Sequence, residues 1–200
     1  MFKIHNRSAF SQAVALFAVT LLLPSLAQAH TGVGQTTGFW HGAEHPLSGL
    51  DHILAMVAVG LWAAQMRGRA LWAVPVTFVT VMAVGGVLGM ADIAVPFVEQ
   101  GIIISVLTLG VLIAASARLP LVASICIVGL FAIFHGHAHG AEMPETASGL
   151  SYGVGFVLAT AFLHLCGIAL GFLMQKSLKA KAVRFAGAAI ALSSVYLWFA

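Results

Sequence analysis

Six apolar stretches, each close to the length that crosses a lipid bilayer, dominate this sequence. They cover approximately residues 46–66, 70–90, 96–117, 121–139, 150–174 and 183–199. A transmembrane helix needs about 20 mostly apolar residues. Only 8% of the 200 residues are charged, whereas an ordinary soluble domain is about 25% charged. The pattern predicts an all-α membrane protein with six transmembrane helices, and it excludes a soluble enzyme and a nucleic-acid-binding protein.

The first 29 residues have the layout of a secretory signal peptide. Lys3 and Arg7 precede an apolar run over residues 13–23, Pro24 follows, and residues 27–29 read Ala-Gln-Ala, which is an A-x-A cleavage signature. The alternative is an uncleaved first transmembrane helix, but the apolar run is short for a span. We therefore expect a signal peptide over residues 1–29 and a single six-helix transmembrane domain over residues 30–200.

The charges orient the predicted spans. Every Lys and Arg after residue 29 lies near the connections between spans one and two, three and four, or five and six: Arg67, Arg69, Arg118, Lys176, Lys179, Lys181 and Arg184. Basic residues mark the cytoplasmic loops of membrane proteins. Both ends of the mature chain are then periplasmic, which agrees with the signal peptide. We expect a multi-pass protein of a bacterial inner membrane.

Most of the nine histidines fall in two clusters. The first cluster leads into span one and the second closes span four; they contain His41, His45, Asp51 and His52, and His135, His137, His139 and Glu142. Both lie at the predicted periplasmic end. At a rise of 1.5 Å per residue, His52 lies roughly 10 Å and His135 about 6 Å from the outer ends of their helices. Side chains from both clusters can therefore build one site.

The spacing within the clusters favours a metal site. His135, His139 and Glu142 stand at positions i, i+4 and i+7, which share one face of a helix, and His45 and His52 are also seven residues apart. Ionisable side chains inside a span cost free energy and by default mark a functional site. Imidazole together with carboxylate suits Ni, Co, Zn, Cu or Fe(II). Mg²⁺ is disfavoured because it prefers oxygen ligands and water.

Several other polar residues have roles that the spacing leaves open. Asp51 points about 100° away from His52 on a helix, so it is either a metal ligand from a bent segment or the carboxylate that orients His52. His164 lies near the middle of span five, where it lines a permeation path or bonds a neighbouring helix. The secondary candidates for metal binding are His30, whose α-amine is free after cleavage, together with His41, Glu99, His137 and His164.

Glycine spacing predicts close helix packing. Gly85 and Gly89, Gly149 and Gly153, and Gly167 and Gly171 each form a G-x-x-x-G pair, a pattern that lets membrane helices approach closely. Three spans followed by three spans have opposite orientations, as in inverted-repeat transporters. No repeat is visible at the level of individual residues.

The two histidine motifs resemble those of the HupE/UreJ family. The family patterns H-x5-D-H and F-H-G-x-[AV]-H-G-x-E match residues 45–52 and 134–142 without departure, with His137 at a variable position. The motif of the larger nickel/cobalt transporter family, H-x4-D-H, is one residue shorter. The resemblance extends over the signal peptide, the six spans and both motifs. It places the metal-handling positions of the family on His45, Asp51, His52, His135, His139 and Glu142.

The resemblance implies a nickel or cobalt permease of a bacterial inner membrane, often encoded beside hydrogenase or urease genes. We expect uptake of Ni²⁺, with Co²⁺ as the other cargo, from periplasm to cytoplasm, and we expect no enzymatic activity and no permanently bound cofactor. The chain has no P-loop pattern, so transport is facilitated or ion-coupled. The expected partners are the metal ion and the lipid bilayer, with a functional link to hydrogenase or urease maturation; a homo-oligomer is compatible with the sequence, and nucleic acid is not a partner.

Two other functions fit the clusters alone. The first is an intramembrane metal-dependent hydrolase, in which His and Asp hold a zinc-bound water. The second, weaker one is a haem-binding membrane protein with paired axial histidines. A cavity with three fixed ligands and one water favours the hydrolase, whereas a continuous polar path past His164 favours the permease.

Overall fold

A computed structural model of the chain describes residues 38–143, 147–177 and 180–199. These residues form helices joined by short connections, and no strand occurs among them. The helices are α1 (Gly38–Ser48), α2 (Leu50–Met66), α3 (Ala70–Met90), α4 (Val98–Ala115), α5 (Leu121–Ala141), α6 (Gly149–Ser177) and α7 (Ala180–Phe199). The expected signal peptide, its cleavage site and His30 lie outside the described residues.

Five of the helices, α3 to α7, are long and apolar enough to cross a membrane by length and composition. Helices α1 and α2 meet the same criteria only as a pair, and the pair is bent by 83°. The described residues therefore hold five candidate spans, or six if the bent pair is one broken span. The stretch over residues 46–66 was expected to be one span, and the structure instead breaks it near its start.

The break between α1 and α2 falls at Gly49. The backbone of Gly49 is extended, with φ −97° and ψ 126°, and Pro46 in the last turn of α1 lacks an N–H group for the helix. A Cβ atom at residue 49 would lie 2.7 Å from Oδ1 of Asp51 and 2.9 Å from Nδ1 of His52. Glycine at this position thus leaves room for the two motif side chains that open α2.

Three helix pairs make the most extensive contacts: α3 with α5, α4 with α7, and α2 with α6, while α1 packs on α6. The closest approaches are at glycine. A methyl group at Gly136 of α5 would overlap the carbonyl oxygen of Met82 in α3. One at Gly60 of α2 would overlap the carbonyl oxygen of His164 in α6. These pairs are therefore in direct backbone contact, as small residues permit in membrane helices.

The predicted glycine pairs have different outcomes. Gly85 and Gly89 face the backbone of α5, and Gly167 faces the backbone of α2. The prediction for Gly153 was wrong, because no atom of the described residues lies within 4 Å of the place where its Cβ would stand. Gly153 instead lines a cavity of about 530 Å³ between α3, α5 and α6.

Contacts between distant segments define two ends of the helical unit. At the basic end, Arg67 donates to Gln175 Oε1 at 2.9 Å and Arg184 donates to the carbonyl oxygen of Ala114 at 2.8 Å. The histidine end is the opposite one, where α2, α4 and α6 begin and α3 and α5 end. There the His137 ring donates from Nε2 to the carbonyl oxygen of Ile93 at 2.9 Å. The two histidine motifs lie at this second end.

Candidate metal centre

The two histidine motifs meet in one group of rings, which we call the imidazole cluster: His45, His52, His135 and His139. The ring centroids of His45 and His139 are 4.5 Å apart, those of His139 and His52 are 4.2 Å apart, and those of His52 and His135 are 5.0 Å apart. The cluster draws on α1, α2 and α5. The break at Gly49 puts His45 and His52 on separate helices, so their spacing of seven residues does not place them on one helix face.

The outer part of the cluster holds a compact set of metal-ligand atoms. His45 Nε2 lies 2.9 Å from Glu142 Oε2, and one ligand atom from each of His45, His139 and Glu142 lies within 4.8 Å of the others. Two ligand atoms bound to one metal at 2.0–2.2 Å are at most about 4.4 Å apart. A small side-chain movement would therefore close these three residues around one ion.

His139 is the buried member of this set. It is 2% exposed, and neither of its ring nitrogens has a hydrogen-bond partner in the described part of the chain. Buried polar atoms in proteins are nearly always paired, so a side chain in this state has spare ligand capacity. Its ring also contacts the Phe156 ring, with centroids 4.2 Å apart. This contact holds His139 between the outer half of the cluster, which contains His45, and the inner half, which contains His52 and His135.

Glu142 supplies negative charge at the mouth of the cluster. It caps α5 at the histidine end and is exposed. The hydrogen bond with His45 holds the pKa of the Glu142 carboxyl below its usual range, against the opposing effect of partial burial. The carboxylate therefore stays ionised at neutral pH and is ready to attract a cation.

Asp51 holds the ring of His52 in a defined state. Asp51 Oδ1 accepts the Nδ1–H of His52 at 2.8 Å and also the backbone N–H of His52 at 2.8 Å. Because Nδ1 carries the proton, Nε2 carries the lone pair, and this Nε2 is buried without a hydrogen-bond partner among the described residues. Of the two roles left open for Asp51, this geometry matches the orienting one.

Ser105 on α4 does the same for His135. The Ser105 hydroxyl donates its one hydrogen to the carbonyl oxygen of Ile102 at 2.6 Å, so the His135 Nε2–H must donate to Ser105 Oγ, 2.9 Å away. The lone pair of His135 is then on Nδ1, which is buried and unpartnered within the described ranges. Sequence reasoning missed Ser105, because a single serine inside an apolar span gives no signal of the side chain that it faces.

The secondary candidates for metal binding lie in different helices and differ in how buried they are. The hydrogen bond to Ile93 directs the His137 ring toward the connection between α3 and α4. Glu99 is exposed in the first turn of α4, and His41 lies half-buried in α1. His164 lies in the middle of α6 and is 1% exposed.

Phe78 lies between the imidazole cluster and His164. Its ring centroid is 5.5 Å from that of His135 and 5.2 Å from that of His164. An apolar residue in an apolar span gives no sequence signal, so this position was not predicted. Rings in contact thus extend from the imidazole cluster to His164 through the apolar side chain of Phe78.

Comparisons with known proteins agree with the motifs. Residues 17–197 match the family described as HupE / UreJ protein. The chain is 47% identical over 177 residues to Protein HupE of Rhizobium leguminosarum bv. viciae. The aligned region covers 88% of this chain and 92% of that protein. No solved structure matches the chain at a significant level. With both histidine motifs inside the matched range, this chain is a member of the HupE/UreJ family.

Proposed function

We propose that this chain is an inner-membrane permease that takes up Ni²⁺, with Co²⁺ as the other cargo, from periplasm to cytoplasm. The observation that carries the proposal is the convergence of His45, His139 and Glu142 at one end of a helical unit whose basic residues lie at the other end. Membership of the HupE/UreJ family supports transport and gives no support to the hydrolase alternative.

In this proposal the ion enters at the outer set and moves inward by exchange of ligands. The ionised Glu142 attracts the hydrated ion, and His45 and His139 replace some of its water. The His139 ring contacts both His45 and His52, so it can pass the ion to the second half of the cluster. There the free lone pairs of His52 Nε2 and His135 Nδ1 are the next ligands.

The chemistry of the donors suits the proposed cargo. Imidazole nitrogen with one carboxylate oxygen is a set that Ni²⁺ and Co²⁺ accept. The metal is cargo and not a resident cofactor. Following the family resemblance, we propose that the imported metal supplies hydrogenase or urease maturation and that copies of the chain associate in the bilayer.

Uptake measurements test the proposal directly. We expect uptake of radiolabelled Ni²⁺ in cells depleted of other nickel uptake systems when the gene is present, and only background uptake when it is absent. His139→Ala should reduce uptake to background, because it removes the residue shared by both halves of the cluster. His137→Ala is the matched control, because the His137 ring donates a hydrogen bond to the carbonyl oxygen of Ile93 and is directed toward the connection between α3 and α4. Wild-type uptake by the His139→Ala variant, at equal protein in the membrane, would contradict the shared site.

Reporter fusions test the proposed topology. We propose cleavage after Ala29, six spans over residues 30–200, and periplasmic amino and carboxyl ends. Alkaline phosphatase folds only after export, so a fusion after Ala200 should be active and a fusion in the short connection between α6 and α7 should be inactive. The reverse pattern would place the histidine end in the cytoplasm and would turn the proposed direction of transport around.

A further inference from the structure

His164 is a second place where the structure leaves an imidazole without partners. It lies roughly 22 Å from the first residue of α6, in the middle of the helix. It is 1% exposed, and neither Nδ1 nor Nε2 has a hydrogen-bond partner in the described segments. It is separated from the imidazole cluster by the ring of Phe78.

Packing alone does not explain a histidine in this state. Helices α2 and α6 pack at this point through Gly60, whose Cβ would overlap the carbonyl oxygen of His164, so the His164 backbone makes this contact. A buried ring that served only to fill space would leave two polar atoms unpaired at a cost in free energy. A polar guest, supplied from outside the protein, would pair them.

The neighbouring turn provides donors of a particular kind. Thr160 lies one turn nearer the histidine end on the same face of α6 and is fully buried, and its Oγ1 lies 3.7 Å from Sδ of Met82 on α3. On α3, Phe78 and Met82 are likewise one turn apart, so two layers form: Met82 with Thr160, then Phe78 with His164. Imidazole and thioether bind transition metals, whereas Mg²⁺ and Ca²⁺ prefer oxygen.

We propose that His164 is an inner binding position for the cargo metal ion, reached from the imidazole cluster past Phe78, with Thr160 and Met82 on the approach. This inference rests on the proposed function. The donors of this inner position are all neutral, whereas the carboxylates of Asp51 and Glu142 contact histidines of the imidazole cluster. The inner position therefore binds a divalent ion more weakly than the cluster does, which suits release toward the basic end.

The separation by Phe78 has a consequence for occupancy. Its ring contacts His135 on one side and His164 on the other. In this proposal an ion passing from the cluster to His164 moves past this ring, which contacts both positions. Removing His164 should therefore slow transfer while leaving capture by the cluster intact.

The first experiment compares binding with transport. The purified full-length His164→Gln variant should bind Ni²⁺ at the cluster with wild-type affinity, while its initial rate of uptake in reconstituted vesicles falls at least about tenfold, the scale on which loss of a metal-site residue acts. Phe162→Leu on the same helix is the control, because Phe162 is 61% exposed, and it should match the wild type in both. Uptake by His164→Gln at the wild-type rate overturns the inner position. A wild-type protein that takes up no Ni²⁺ overturns the proposed function instead.

The second experiment detects metal at the position without transport. Cys126 and Cys166 are exposed, so both are first replaced by Ala. Adding Co²⁺ to the His164→Cys variant in this background should produce a cobalt–thiolate charge-transfer band in the near ultraviolet. Phe162→Cys is the matched control, because Phe162 is 61% exposed on the same helix, and it should give no band. No band at His164→Cys, or equal bands in both variants, overturns the proposal; if His164→Cys aggregates, the uptake rate of His164→Gln decides.

Discussion

Two histidines of the cluster are oriented in the same way. A neighbouring side chain accepts a hydrogen bond from one ring nitrogen, and the other nitrogen keeps a free lone pair. For His52 the hydrogen-bond acceptor is the carboxylate of Asp51, and for His135 it is the hydroxyl of Ser105. A carboxylate raises the basicity of the ring that it bonds more than a neutral hydroxyl does. His52 is therefore expected to be the stronger metal ligand of the two.

Replacing Ser105 with Ala tests this orientation at the residue scale. The variant leaves the Nε2–H of His135 without its acceptor, so the ring is no longer held in the state that frees Nδ1. We expect the affinity for Ni²⁺, measured by isothermal titration calorimetry on the purified protein, to fall about 10–100-fold. Ser124→Ala is the control: Ser124 is also fully buried and bonds the carbonyl oxygen of Pro120. Equal affinity in both variants would make Ser105 a packing residue.

The motif residues could be predicted from the sequence, but the side chains of other helices that contact them could not. The spacing of His135, His139 and Glu142 follows from the helix period alone, so it could be read without a structure. Ser105 and Phe78 act across helices that are about 30 or more residues away in the sequence. Which side chain faces which ring depends on how α3 and α4 are rotated against α5, and no local pattern records that rotation.

At the scale of elements, the break between α1 and α2 differs most from expectation. The sequence predicts one continuous span over residues 46–66, with His45 and His52 seven residues apart. The structure instead turns the chain by 83° inside the motif. The turn brings His45 to Glu142 and leaves His52 facing His135, so a bend in the chain, and not helix periodicity, lets one motif serve both halves of the cluster.

The contact between α3 and α5 gives an element-scale prediction. A methyl group at Gly136 would overlap the backbone of Met82, and backbone cannot move aside as a side chain can. We expect Gly136→Ala to destabilise the fold by about 1–3 kcal/mol and to lower the unfolding temperature of the detergent-solubilised protein. Gly153→Ala is the control because its Cβ would meet no atom of the described residues, and a helical alanine there is neutral or favourable. An unchanged unfolding temperature for Gly136→Ala would mean that the helices are not this close.

At the scale of the whole helical unit, the main helix pairs are preserved when the first three long helices are exchanged with the last three. If α2, α3 and α4 are matched in order to α5, α6 and α7, the α2–α6 pair becomes the α5–α3 pair, and the α4–α7 pair becomes itself. The three most extensive contacts therefore obey the exchange, although no residue repeat is visible in the sequence. The exchange is partial, because α2 also packs against α3 and α4, whereas the corresponding contacts of α5 with α6 and α7 are weak or missing among the described residues. In inverted-repeat transporters the substrate site lies between the two halves. The imidazole cluster joins α2 of the first half to α5 of the second.

In the proposed orientation, external pH acts on the cluster through the proton-binding groups that face the entry. The hydrogen bond with His45 lowers the pKa of Glu142, so this carboxylate stays ionised until the pH falls below the ordinary glutamate pKa of about 4.3. An ordinary imidazole titrates near pH 6.5 and binds metal only when neutral. Loss of capture on mild acidification therefore has to come from the histidines and not from Glu142.

We predict that initial Ni²⁺ uptake, at subsaturating free metal and clamped membrane potential, drops steeply as external pH falls from about 7 to about 5.5. Protonation of any one ligating imidazole removes a metal ligand, so the drop should follow the first histidine of the cluster that binds a proton. Glu142→Gln should lower uptake at every pH and leave the position of the drop unchanged, because the carboxylate does not titrate in this range. Proton symport has the opposite sign, since acid outside raises its driving force. Uptake that rises toward acid pH would therefore contradict capture by the imidazole cluster as the limiting step.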